Sequence, residues 1–223
     1  MEVVAIRPRR RNRRLKARAA LYTVVFSPGE LRRHDSSFDG FCRNDCEYSI
    51  GQKRCGEQCC EGGEYGRLMY LWRQNGYLIR YFKNNIKYLQ TDRYGHLEIV
   101  QAIQRHKQLV VAIDDFLQHG DLGTLFIPLY KSPDGKVYHP ESKFKSHLYT
   151  EFFENWIRIY AVKYDDDESG EENYIITGGG IKLVGKMSDS AVIEYEEAKQ
   201  NVVIQYLIDN GVTKREKIEL LII

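Results

Sequence analysis

The chain lacks any long hydrophobic run: no apolar stretch approaches the about 20 residues needed to cross a bilayer. Its first residues include arginines where a secretory leader would place an apolar core. A soluble, cytoplasmic protein with no membrane partner is therefore expected. Cysteine is missing outside residues 42–60, so a metal or disulfide staple would be confined to that segment. No internal repeat recurs, which argues against solenoids and propellers. The triplet Gly178-Gly179-Gly180 has neither P-loop nor GxGxxG spacing, so nucleotide binding through those motifs is not indicated.

What is present is 223 residues, 43% of them hydrophobic, enough for one ordinary core with appendages. The net charge of +2 conceals an asymmetry. Met1 to Arg18 holds seven arginines and one lysine against the single acid Glu2, while the rest of the chain, with 25 bases and 30 acids, is net −5. The run Arg9, Arg10, Arg11, Arg13 and Arg14 suits a polyanion, because each phosphate neutralised releases condensed counterions. The alternative is a solvated arm without fixed structure.

The organisation follows from periodicity and breakers. Residues 1–30 contain two β-rich runs, Met1–Ile6 and Ala20–Phe26, able to form a hairpin around the basic segment. Residues 31–63 are polar and hold all five cysteines, and they look like an insertion without its own core. Residues 64–223 complete a single α+β core with the N-terminal strands. From Glu64, Leu68, Leu71, Trp72, Ile79, Phe82, Ile86 and Leu89 recur at helical spacing, with a break at Asn75-Gly76. A second helix fits Leu97 to His119, with Ile99, Ile103, Val110, Ile113 and Leu117 on one stripe and Gly120 as its stop. Thr124 to Ser146, with three prolines, reads as an extended loop. A hairpin occupies Trp156 to Met187, and Ser190 to Asn210 forms a closing helix with Gly211 as its cap. The expected fold is α+β, a small antiparallel sheet flanked by helices.

In the hairpin, strict alternation puts Trp156, Arg158, Tyr160, Val162 and Tyr164 on one face and Ile157, Ile159 and Ala161 on the other. The aliphatic face should pack on helices. Arg158 would then stand among aromatic rings, able to grip phosphate while bases stack beside it; the plainer alternative is pairing with a carboxylate. In the partner strand Tyr174, Ile176, Gly178, Gly180 and Lys182 share a face by the same rule. Three glycines inside a strand signal a close backbone approach or a bulge. With Lys182 and Lys186 following, they could form a bare cationic shelf for a polyanion, or a bulge with incidental lysines.

Cys42, Cys46, Cys55, Cys59 and Cys60 give C-x3-C, eight residues, then C-x3-C-C, with His34 upstream. Cys42, Cys46, Cys55 and Cys59 could fold the segment around tetrahedral zinc. Free thiols or disulfides are the alternatives, and no other cofactor is expected to be required.

The run LYTVVFSPGEL, two helices, WIRIYAV, IITGGGIKLVGK and a closing helix together resemble the RelE/ParE superfamily of toxins, most closely over residues 156–210. The chain is also similar to uncharacterised bacterial proteins with WxRxYA and YxITGGxIKL runs. The RelE-like resemblance implies a compact antiparallel sheet flanked by helices. It further implies mRNA cleavage on the ribosome through attack of a ribose 2′-oxygen on the adjacent phosphate, and a cognate antitoxin. On that resemblance Arg158 would hold the reacting phosphate, Lys182 or Lys186 would be the basic residue after the last strand, and Tyr195 and Tyr206 would orient the substrate. His147 is the candidate general base, or simply a loop residue. The second reading is a non-catalytic nucleic-acid or protein-binding module, in which the basic arm contacts nucleic acid and the sheet edge or closing helix docks a protein partner; the residues expected to contact nucleic acid are Arg9, Arg10, Arg11, Arg13, Arg14, Arg158 and Lys182.

Overall fold

The computed structural model describes residues 1–7, 19–26, 63–128, 142–146, 155–166, 171–185 and 190–211. The helical spacing after Glu64 produces three pieces: α1 (Gly63–Arg73), α2 (Asn75–Asn84) and α3 (Ile86–Leu89). The break falls at Gln74, whose backbone is extended. Leu68, Leu71, Trp72, Phe82 and Leu89 are buried as the spacing predicts, but Ile79 is 48% exposed and Leu78 takes the core position. The break resets the helical phase, and a stripe extrapolated across it arrives on the wrong side.

The next helix, α4 (Ile99–His119), starts at Glu98, whose N–H donates to Gln101 Oε1 at 3.0 Å, and stops at Gly120. The short α5 (Leu122–Leu125) follows. The closing helix α6 (Ala191–Asp209) begins at Ser190, whose Oγ accepts from the Ile193 N–H at 3.4 Å. It ends as expected at Gly211, whose φ of 60° glycine adopts without the clash a Cβ would bring. Among the described residues no helix is long and apolar enough to cross a membrane.

The strands are β1 (Glu2–Arg7), β2 (Ala19–Val25), β3 (Phe126–Pro128), β4 (Ser142–Ser146), β5 (Ile157–Asp166) and β6 (Glu171–Ile181). Among the described residues they form one six-stranded sheet ordered β1-β2-β6-β5-β4-β3. The N-terminal hairpin and the β5–β6 hairpin form antiparallel pairs as expected.

Two expectations about the make-up of the sheet are corrected. The sheet is mixed rather than antiparallel, because β2 and β6 run parallel from Ala19–Glu172 to Thr23–Ile176. After β2 the chain crosses over through α1 to α5 and returns as the meander β3-β4-β5-β6, so β6 reaches β2 in the same direction. The second correction concerns Thr124 to Ser146. The stretch opens with the last two residues of α5, and two strands follow within it: β3 pairs with β4, and β4 with β5. Such short strands, with a proline at the end of β3 and lysines on β4, suit the margin of a sheet and carry little periodic signal.

Helices cover both faces. Ile157, Ile159, Ala161, Tyr174 and Ile176 join Leu68, Trp72, Phe82, Leu109, Ile113 and Leu117 in the main core beneath α1, α2 and α4. On the other face Val162 and Ile175 pack with Val203 and Leu207 of α6 and with Val3, Tyr22 and Val24. Strict alternation holds along β5 but fails along β6. The register shifts between Tyr160 and Ala161, which face Gly178 and Ile176, so Thr177 is the extra residue of a bulge. Tyr174 and Ile176 therefore lie on the α1–α4 face, while Gly178 and Gly180 lie on the α6 face. Trp156 also departs from its expected face. It precedes β5 and turns into the main core, with its ring 5.7 Å from Phe82 and 5.6 Å from Tyr94, and its Nε1–H donates to His106 Nδ1 at 3.2 Å.

Candidate nucleic-acid interface

The glycine triplet is a seat for helices, not a bare shelf. A Cβ on Gly178 would collide with the Glu196 carboxylate, and one on Gly180 would lie 2.9 Å from Ile193 Cδ1, both on α6. On the opposite face a Cβ on Gly179 would lie 2.5 Å from the Arg158 carbonyl oxygen and 2.9 Å from Leu68 of α1. The triplet lets α6 and α1 approach the sheet backbone from both sides at one point.

A buried charge cluster occupies that point. The β2–β6 pairing ends at Thr23–Ile176, and beyond it the Gly179 N–H donates to Glu196 Oε2 at 2.9 Å. A side-chain carboxylate thus takes the hydrogen bond that a further ladder residue would have accepted. Arg67 Nη2 lies 2.7 Å from Glu64 Oε2 and 2.8 Å from Glu196 Oε1, and Lys199 Nζ lies 3.1 Å from both carboxylates. Two acids and two bases balance. Burial by itself pushes the Glu64 carboxyl up, but the charges of Arg67 and Lys199 and their hydrogen bonds more than reverse this and hold it below the ordinary carboxylate value. In sequence Glu196 and Lys199 look like a solvated i, i+3 pair. Only their packing over glycines shows otherwise.

Arg158 is half-buried on the α6 face, opposite Gly180. Its Nη1 donates to the carbonyl oxygens of Asn155 and Ile157, each at 2.8 Å, which fixes the guanidinium against the start of β5. Lys145 of β4 is paired with Tyr160, two residues along the same face of β5, and so comes beside Arg158. Its ammonium is held below the usual lysine range first by burial, then by the Arg158 charge, while Glu197 of α6 acts in the opposite sense. Two cations are therefore held together, half out of water, where the cover of α6 gives way to β4. Lys145 was missed because its segment reads as a loop, and Glu197 because nothing in sequence distinguishes it from Glu194.

The other expected site residues are distributed differently. Lys182 is half-buried just past β6, with its N–H donating to the Trp156 oxygen at 2.7 Å. Tyr195 is buried with Val202, Phe26 and Ala198, and Lys199 Nζ lies 4.9 Å from its ring centre. Tyr206 packs against the smaller core of the α6 face. At about 100° per residue both tyrosines point away from Glu197, and so away from Arg158. Arg9, Arg10, Arg11, Arg13, Arg14, His147, Lys186, Cys42, Cys46, Cys55, Cys59 and Cys60 lie outside the described residues. Among the described residues no group of three or more His, Cys, Asp or Glu side chains is arranged to hold a metal. Compared with family models, with characterised proteins and with solved structures, the chain matches none.

Proposed function

We propose that the protein is a nucleic-acid-binding module that grips the phosphates of single-stranded RNA where β4 and β5 emerge from under α6. The observation that carries this reading is the Lys145–Arg158 pair: neighbouring strands hold two cations together, partly desolvated, with Glu197 of α6 offsetting the Arg158 charge at Lys145 only in part, and a phosphate would add the negative charge that is still short. The arginines between Arg7 and Arg18 would add sequence-independent phosphate contacts. A RelE-like ribonuclease, acting on the ribosome and held by an antitoxin, is the second reading, favoured by the order β5, β6, α6. Cleavage needs an acid–base group within reach of the phosphate, and Tyr195 and Tyr206 face away from Arg158. Cutting would then have to rest on another group, such as His147, whereas binding needs none.

Anisotropy titrations of labelled RNA oligonucleotides against salt test the proposal. Removing both cations, Lys145→Ala with Arg158→Ala, should weaken binding by roughly tenfold or more and lower the salt slope by about two. The fold should survive, since neither side chain belongs to an apolar cluster, but losing the two Arg158 hydrogen bonds should lower the thermal midpoint by a few degrees. Unchanged affinity in a folded double variant would refute the site. Arrested growth on induction, with RNA cut in vitro, would favour the ribonuclease.

A further inference from the structure

Helix α4 buries one side and leaves the other bare. Val111, near the middle of this helix, is 66% exposed. Around Val111 the surface is a shallow depression lined by Lys107, Gln108, Val111, Ala112 and Asp115. Scattered exposed valines are common on soluble proteins and need no partner. The charges around this one are informative because they are symmetric. Lys107 lies four residues before Val111 and Asp115 four residues after it, one turn away on either side.

We infer that the partner for this surface is a second copy of the chain, docked by α4 against α4 in antiparallel orientation about a two-fold axis through Val111. In an isologous pair, residues whose numbers sum to twice that of the residue on the axis face each other. Val111 then meets Val111 of the partner subunit, Lys107 meets the partner's Asp115, and Asp115 meets the partner's Lys107. The apolar centre is flanked by two identical opposite-charge pairs. A parallel arrangement would oppose lysine to lysine and aspartate to aspartate, so the charges select the antiparallel one. Ala112 beside Val111 keeps the centre low enough for close approach. Asp115 Oδ1 also lies 3.1 Å from His119 Nδ1, an exposed neighbour one turn on. One helix face per subunit makes a small interface, so the dimer is weak and concentration-dependent.

The test is sedimentation velocity of the full chain over about three decades of protein concentration at low salt. The wild type should show a monomer–dimer equilibrium that weakens as salt rises. Val111→Glu should weaken it by roughly a hundredfold, because like charges would meet on the axis. Lys107→Asp alone and Asp115→Lys alone should each weaken it by roughly tenfold or more, since symmetry doubles every repulsion. The double exchange, Lys107→Asp with Asp115→Lys, should restore the wild-type constant. Lys107, Val111 and Asp115 are all exposed, so circular dichroism should find each variant folded. A wild type that stays monomeric throughout, or a dimer indifferent to Val111→Glu, overturns the inference, as does a double exchange no tighter than the single ones.

Discussion

The two faces of the sheet are both buried, but by different means. Beneath α1, α2 and α4 the cover is aliphatic and aromatic, with Phe82, Trp156 and Tyr94 in ring contact and Trp72 joined to them through His106. Beneath α6 the contact is narrower. Glycines lower the sheet backbone, and Glu196, Lys199 and Gln200 are buried beside valines and leucines. Gln200 Nε2 donates to the Ala161 oxygen at 2.7 Å. The first face is held by area and packing, which tolerate modest reshaping. The second depends on charges that must all be present, since a buried ion left without its partner is far worse than none.

That contrast can be broken by single substitutions. The largest effect should come from Glu196→Ala, which strands Lys199 and Arg67 and leaves the Gly179 N–H without its acceptor. A loss of about 3–5 kcal/mol is expected, read from urea denaturation midpoints. A loss below about 1 kcal/mol would show that the cluster is solvated in solution.

Acid should separate the faces next. His106, packed against the rings of Trp72 and Phe82, is driven down to about 3 by burial, against a weaker pull from the Trp72 backbone. Its folded value lies below its unfolded one. Stability is therefore complete above the unfolded value of 6.5 and falls as pH drops toward 3, because the unfolded chain takes up the proton first. The Glu64 carboxyl is also held low, so its contribution is complete above its unfolded value of 4.5 and is lost only as pH falls through its folded value. Chemical denaturation across pH should show a first decline on the order of a few kcal/mol between about 6.5 and 4.5. His106→Gln, which keeps an acceptor for the Trp156 indole, should flatten that part and leave the steeper acid limb. A profile unchanged by this substitution would mean that His106 does not titrate as its surroundings require.

The smallest effect lies outside both faces. Gly211→Ala places a Cβ at a φ of 60° where α6 ends and should cost about 1 kcal/mol, a few degrees in thermal midpoint. A neutral result would indicate that the helix end frays and carries no strain.

The reach of the sequence follows the same division. Helices α1, α2 and α4, the two hairpins and the closing helix were legible because burial on one side leaves a period in the residues. Strand β5 was legible for the same reason, down to which residues enter the main core. Strands β3 and β4 were not: three and five residues with a proline and lysines give no period to read. The alternation along β6 failed at Thr177, since a bulge shifts every later residue to the other face without any local sign of doing so. At the candidate site Arg158 was legible and Lys145 was not, because their proximity exists only through β4–β5 pairing.

By itself the sequence determined the local conformations, the break near Gly76, the helix stop at Gly211 and the concentration of positive charge before Arg18. These depend on backbone preference and on the charge and period of neighbouring residues, and both are local properties. Only the tertiary structure decided that β2 and β6 run parallel, that α6 covers the face of Arg158, and that Gly178 and Gly179 receive a carboxylate instead of a polyanion. Each of those depends on which distant segments share a volume. The solvation of Glu196 and Lys199 was settled the same way, since the chain encodes a charge but only packing removes the water around it.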